Sequence, residues 1–336
     1  MLLLSGWACQ PPDPPRTELA FYHWQTDLQI DSLATTYWET TQAQRLYVKF
    51  FDVDWDFNQQ TAVPQAQLQR HYWPKNADIV PTIFITNRTF REIAPADIPA
   101  LAKRCWTKIT ELWPRTTFTE VQLDCDWSAT TRERFFKFLD VLQSYLPPET
   151  TLSATIRLHQ YRYPEQTGVP PVDRGMLMFY NMGEVNDWAE PNSILNLETA
   201  APYLQTSAYP LPLDIALPLF RWSVLFRQGK MIKLLNGLDE ATLQARQFVP
   251  DTVAGVRYYR VAHAQYWQAY YLYENDYLRP EEPTEATLLA ATQQLRQLPV
   301  PAGVRYLSFY HLDSVALAAY DPTLLQRCQQ HLTHED

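Results

Sequence analysis

No stretch of this sequence holds the roughly 18 uninterrupted apolar residues that a membrane-spanning helix requires. It has no P-loop, no HExxH, no GxSxG and no GxGxxG, so nucleotide binding, zinc proteolysis and serine hydrolysis have no motif to rest on. Cysteine is scarce, four in 336 residues, and Cys105, Cys125 and Cys328 stand in no CxxC or Cys/His spacing. They read as small buried hydrophobes rather than as a disulfide framework or metal site. Positive charge is short as well: 28 Lys and Arg against 37 Asp and Glu leave a formal charge of −9, and no basic cluster interleaved with aromatics reverses this locally. Such a balance opposes phosphate backbones, so nucleic acid is not an expected partner.

Apolar side chains are plentiful. They make up 46% of the residues, with 11 Trp and 20 Tyr, which places the chain far from disordered compositions. Its length exceeds that of most single domains, but barrels reach this size as one unit, and residues 18–336 are read as one domain. The opening MLLLSGWACQPPDPP resembles the end of a lipoprotein signal peptide. The resemblance implies cleavage before Cys9, acylation of its thiol, a tether over residues 10–17, and anchoring to a bacterial cell envelope; the alternative is an ordinary frayed apolar terminus.

Short β-rich runs alternate with segments of helical period, the pattern of a parallel sheet with crossover helices. Eight such runs occur: 19–24, 46–53, 79–86, 120–126, 151–158, 175–181, 213–220 and 304–310. Between them, 31–44, 98–112, 130–146, 194–204 and 284–298 carry apolar residues at three-to-four spacing. The expected fold is therefore an α/β (β/α)8 barrel, with residues 221–283 inserted between the seventh and eighth strands. Within the insertion, 226–235 is basic and apolar, and the aromatic run 266–277 reads as a helix whose aromatic face packs on the barrel or forms a ligand platform.

Active sites of such barrels form at the carboxyl ends of the strands, so polar residues closing an apolar strand carry the most weight. The second run closes on Asp52, Asp54 and Asp56; the fourth places Gln122, Asp124 and Asp126 on one face, opposite Leu123, Cys125 and Trp127. Two inward carboxylates need a cation or hydrogen bonds, and repulsion should raise one pKa. In the fifth run Ser153, Thr155, Arg157 and His159 share a face, so Arg157 is expected to pair with Asp124, leaving Asp126 freer as acid, base or ligand group. The preferred partner of Arg174, at the far end of the barrel, is Asp173.

Residues 123–127 resemble part of the fourth-strand DxxDxDxE signature of family-18 chitinases, and residues 178–181 resemble the Met-x-Tyr-Asp run of their sixth strand. The resemblance implies that Asp124 and Asp126 correspond to the two aspartates, the second of which orients an acetamido group, and Tyr180 to the assisting tyrosine. The position of the proton-donating glutamate is Ser128, and Asn181 replaces the aspartate; serine cannot perform that proton transfer. Runs such as RLYVKFFDVDWD, QLDCDWS and GVPPVDRGMLMFYNMG are also similar to a group of Bacteroidetes-type lipoproteins with no known activity.

The same mouth should gather His23, Trp24, Asn87, Arg88, Trp222, Tyr310 and His311. Aromatic faces stack on sugar C–H surfaces while carboxylates and amides take the hydroxyls, so the expected ligand is a glycan. A catalytic set of Asp124, Asp126, Asp54 and Tyr180 would make a glycoside hydrolase. His23, Trp24, Asp52, Asn87, Arg157, His159, Asn181, Trp222 and Tyr310 would bind substrate. The competing expectations are a non-catalytic glycan-binding protein, which Ser128 favours, and a structural envelope protein that docks a partner. No cofactor is expected; oxygen ligation of a divalent ion by Asp52, Asp54, Asp124 and Asp126 is chemically open, but carboxylate count alone does not call for a metal.

Overall fold

The computed structural model describes residues 16–114, 117–205, 209–246, 248–301 and 303–333. Cys9 lies outside them. Eight parallel strands form the barrel: β1 Arg16–His23, β2 Arg45–Asp56, β3 Asp78–Ile85, β4 Glu120–Asp124, β5 Thr151–Arg157, β6 Arg174–Met178, β7 Leu213–Pro218 and β8 Val304–Tyr310. They pair in the order β1-β8-β7-β6-β5-β4-β3-β2, and β2 returns to β1 through Tyr22 and Tyr47, which closes the ring. The tether expected over residues 10–17 ends earlier, because Arg16 and Thr17 already pair with Val304 and Arg305.

Alternation along the strands separates two apolar layers. Leu19, Phe21, Val121, Leu123 and Cys125 face outward onto the helices, meeting for example Leu101, Cys105 and Ile109 of Ile98–Leu112. Ala20, Tyr22, Tyr47, Met176, Met178 and Tyr180 face inward and pack on one another. The inner layer is polar at intervals, and several polar groups there bond a neighbour on another strand, although the buried Tyr47 and Ser308 hydroxyls find no partner among the described residues. Tyr22 donates to Gln122 Oε1 at 2.6 Å, and Gln122 donates to Ser153 at 3.3 Å. Lower down, Arg45 pairs with Glu120 at 2.6 Å and Asp78 at 2.7 Å.

Arg174 bonds Asp214 at 2.6 Å and not Asp173. The two consecutive side chains leave the chain on opposite faces: Arg174 turns into the barrel, and Asp173 accepts the Leu152 backbone N–H. Three of the crossover helices start on side-chain caps, Asp31 for Ser32–Thr41, Asn196 for Leu197–Leu204 and Thr284 for Glu285–Leu295, whereas Ile98–Leu112 and Arg132–Gln143 start without one. Asn196 explains why the fourth expected helix begins at 197 rather than 194. A last helix, Pro322–Leu332, packs between Glu285–Leu295 and Ser32–Thr41.

The residues between β7 and β8 build a second, antiparallel sheet in the order Lys230–Asn236, Trp222–Arg227, Tyr277–Glu281, Val256–Arg260, Val249–Val253. Its own core includes Leu225, Leu235, Tyr259, Leu272 and Leu278. The basic apolar stretch 226–235 is a hairpin, turned at Gln228 and Gly229 with φ of 49° and 78°, a conformation that suits glycine at the second position. The expected helix over 266–277 is absent. Gln265–Trp267 and Tyr270–Leu272 pair instead as a hairpin, leading into Tyr277–Glu281. Exposed Tyr266, Tyr271 and Tyr273 alternate with inward Trp267, Tyr270 and Leu272, a period of two that the density of aromatics conceals.

Candidate functional site

A cavity of about 660 Å³ opens at the carboxyl ends of the barrel strands. Trp24, Tyr180, Phe220, Trp222 and Tyr310 give it aromatic walls. These rings brace each other: Tyr310 lies 5.8 Å from Trp24 and 5.6 Å from both Tyr180 and Phe220, and Phe220 lies 5.1 Å from Trp222. Asp124, Asp126, Arg157, Asn181 and the His311–Asp313 pair supply its polar groups, and Asn236 and Gln268 reach it from the inserted sheet.

Below these rings two carboxylates, Asp124 and Asp126, share one cation, Arg157. Asp124 is 4% exposed and accepts a hydrogen bond from Thr155 Oγ1 at 2.6 Å. Burial raises its pKa; the nearby Arg157 charge opposes that rise and Asp126 adds to it. Asp126 lies at the mouth with both oxygens on Arg157, at 2.5 and 3.3 Å. The expected pairing is thus reversed: Asp126, not Asp124, holds the guanidinium. The cause is length, since an Arg side chain from the last residue of β5 extends beyond the rim to Asp126, the second residue after β4. Burial pushes the Tyr180 phenol well up, so it is a neutral donor at ordinary pH.

Across the mouth, His311 Nε2 is 2.7 Å from Asp313, which also accepts from Gln25 and caps the helix Ser314–Leu317. Burial works against the Asp313 charge, but these bonds hold its carboxyl below the ordinary value. The Tyr310–His311 peptide is cis.

Trp24, Asp124, Asp126, Arg157, Tyr180, Asn181, Trp222 and Tyr310 therefore share one cavity, and His23, Asp52, Asp54, Asn87 and His159 do not line it. Asp54 fails because β2 runs past the rim and folds back onto Thr61–Gln65, carrying that carboxylate onto Arg88 and Thr86. Arg88 holds it below the usual carboxylate range. Asp52, on the same extension, bonds Lys49 at 3.2 Å. His23 is buried with Nε2 2.9 Å from the Asp27 carbonyl, and burial lowers its pKa to about 4. Asn87 accepts from Thr131 at 2.6 Å, linking the loops after β3 and β4. His159 leaves the strand alternation because the chain turns helical at Leu158.

Ser128 is also off the cavity lining, its hydroxyl 3.0 Å from Thr130 and 3.3 Å from Thr131. Sequence reading passed over Gln25, Phe220, Asp313, Asn236 and Gln268, all of which lie beyond strand ends or in the insertion. The Asn236-Gly237 dipeptide, a turn signal, was the available clue. Among the described residues no group of three or more His, Cys, Asp or Glu is placed to hold a metal ion.

No protein-family model and no curated protein matches the chain. Solved structures do. The spore cortex-lytic enzyme SleL of Bacillus cereus superposes with a TM-score of 0.56 at 15% identity, covering 96% of this chain and 76% of that one. The GH18 chitinase ChiB of Flavobacterium johnsoniae gives 0.54 at 11% identity, covering 95% of each chain. A chitinase from Bacteroides thetaiotaomicron gives 0.54 at 12%, covering 96% and 97%. At these identities the likeness is one of fold: a barrel of the kind chitinases use.

Proposed function

We propose that this chain is a glycan-binding barrel that takes an oligosaccharide of the N-acetylglucosamine type in the mouth cavity, without the fourth-strand proton transfer of family-18 hydrolysis. The carrying observation is the state of the β4 end. Asp126 is bound on both oxygens by Arg157, and Ser128, which the resemblance to family-18 chitinases sets at the donor position, carries no carboxyl, yet the aromatic walls are intact. An aromatic cavity with a few fixed polar groups binds sugar faces and hydroxyls whether or not a reaction follows. Neighbours of the same fold are chitinases, and one was crystallised with a chitin pentasaccharide.

Hydrolysis is the second reading, favoured by one observation: burial raises the pKa of Asp124, which favours the protonated form an acid catalyst needs. A panel of bacterial and host glycans, scored for binding and for released sugar, separates the two. Binding without release, unchanged by Asp124→Asn, supports the proposal. Release abolished in Asp124→Asn makes the chain a glycosidase, and neither binding nor release sinks both readings.

The likeness of MLLLSGWAC to a lipoprotein signal supports placing the barrel at a bacterial envelope on a lipid at Cys9. Metabolic incorporation of an alkyne fatty acid, abolished by Cys9→Ser, is the expected result; equal labelling of both chains overturns it.

A further inference from the structure

The connection from β2 to β3, residues 57–77, contains no helix, whereas each of the other barrel crossovers carries at least one. In its place the strand Thr61–Gln65 returns along the end of β2, pairing with it from Asp52 to Asp56. A strand that joins a sheet widens it and covers neither face, while a helix laid on the wall would cover a width of about 10 Å. The outer face of β2 and of this returning strand therefore has only Ile98–Leu112 beside it, and a separate cavity of about 330 Å³ is left between them. Its walls are Phe51 and Val53 of β2, Ala62 and Pro64 of the returning strand, and Leu101 and Cys105 of the helix. It shares no lining residue with the mouth cavity.

The helix also supplies a charged rim of Lys103, Arg104, Lys108 and Glu111. Glu111 is taken by Lys108 at 2.8 Å. Lys103 has no acidic partner among the described residues, and Arg104 reaches only the Ala62 carbonyl, at 3.5 Å across the groove. Two cations without a counter-charge thus border an apolar groove, in a chain whose formal charge is −9. A solvated helix face accounts for such charges but not for the apolar walls beside them. Together they are complementary to a molecule with an apolar body and an anionic head.

The walls narrow the class further. Thr107 carries the only hydroxyl of the lining, so a sugar would find few partners there. Burial pushes the Cys105 thiol up to about 12, which leaves it no nucleophile and makes the site one of non-covalent binding. A volume of 330 Å³ stands at the low end of the roughly 300–1,000 Å³ usual for ligand sites, room for one acyl chain and not for a two-chain lipid.

We propose that this groove binds a single-chain fatty acid, its acyl chain lying between β2 and Ile98–Leu112 and its carboxylate held by Lys103 and Arg104. The site is independent of the glycan reading above. Calorimetric titration of the full chain with hexanoate, decanoate, 1-decanol and decyltrimethylammonium, each below its aggregation threshold, compares wild type, Thr107→Trp and Lys103→Glu/Arg104→Glu. Thermal melts serve as the folding control.

Wild type should bind one decanoate per chain, at least ten-fold more tightly than hexanoate, because each methylene that enters the groove adds up to roughly four-fold. Decanol should bind about ten-fold more weakly than decanoate, and the cationic amphiphile not measurably. Thr107→Trp, which fills the groove from the helix side, should weaken decanoate and decanol alike by roughly ten-fold or more. The charge-reversed pair should weaken decanoate about ten-fold and leave decanol within two-fold. Lys103 and Arg104 are both exposed, so this pair decides the matter even where Thr107→Trp does not fold. Absence of decanoate binding, equal binding of the anionic and cationic amphiphiles, or wild-type binding by either folded variant overturns the proposal. A wild-type dimer in sedimentation that Thr107→Trp dissociates and decanoate does not assigns the groove to a second copy of this chain, and overturns it as well.

Discussion

Asp126 and Arg157 meet as a two-point ion pair at the cavity mouth, Oδ1 2.5 Å from Nε and Oδ2 3.3 Å from Nη2, while Arg157 also serves as the nearby cation for buried Asp124. The two members of the pair are unequal. Asp126 is 51% exposed on its side chain, so its loss resembles loss of a surface ion pair; Arg157 is 22% exposed and its loss leaves Asp124 charged in a dry site.

Asp126→Asn is expected to cost at most about 1 kcal/mol of stability, and Arg157→Met about 2 kcal/mol or more at neutral pH. The Arg157→Met deficit should shrink at acid pH, where Asp124 takes up a proton and no longer needs a cation. Urea midpoints of both variants at pH 7 and pH 4 check this; equal losses that ignore pH would show that Asp124 does not depend on Arg157.

Two buried groups pull stability in opposite directions with pH. Burial raises Asp214 from 3.8 to about 7, opposed by the Arg174 charge. Between those values the native state holds a proton that the unfolded chain has released, so stability falls as pH rises. Burial lowers His23 from 6.5 to about 4, so between those values the unfolded chain holds the extra proton and stability rises with pH. The two slopes, each at most about 1.4 kcal/mol per pH unit, offset one another between about pH 4 and 6.5. Asp214→Asn should therefore make stability climb over that window, and His23→Gln should make it fall. Denaturant titrations at half-unit steps read the sign directly, and parallel profiles in the two variants would refute the assignment.

The barrel was legible because its strands are apolar runs of the right length between helical periods, and the inward set Gln122 and Asp124 followed from alternation alone. Alternation stops being informative where strands stop. His159 was placed inside by extending a period of two across Leu158, where the chain is already helical. Asp54 was placed at the mouth because nothing local in RLYVKFFDVDWD says that β2 outruns the barrel into a hairpin. The Arg157 partner depended on side-chain reach across a rim, which spacing does not encode. Aromatic density hid the period of two at 266–273.

That difference between Trp24 and Asp54 is measurable. Trp24 stands in the cavity against Tyr22 and Tyr310, whereas Asp54 is bound to Arg88 outside it. Trp24→Ala should weaken a bound N-acetylglucosamine oligomer by about 1 to 2 kcal/mol, in the range of a lost aromatic stacking contact. Asp54→Asn should leave affinity unchanged and cost only a little stability. Calorimetry on both variants tests the site as drawn; a large affinity loss in Asp54→Asn would move the ligand onto the β2 extension.

Glu281 joins the insertion to the cavity. It is 2% exposed, and its Oε1 accepts from fully buried Arg279 at 2.7 Å. Oε2 accepts from the Ser193 N–H at 3.1 Å, the Ser193 hydroxyl at 2.5 Å and Trp222 Nε1 at 2.8 Å. One carboxylate thus ties the inserted sheet to the loop after β6 and fixes the orientation of a cavity-wall indole, although Glu281 itself does not line the cavity. Glu281→Gln offers an amide where two oxygens accepted four donors and leaves Arg279 without its counter-charge. The expected cost is about 3 kcal/mol, the scale for removing one member of a buried pair. Because Trp222 loses its anchor, oligosaccharide affinity should fall several-fold even where the variant is fully folded. A variant that is destabilised but binds with wild-type affinity would show that the Trp222 position is set by Phe220 packing instead.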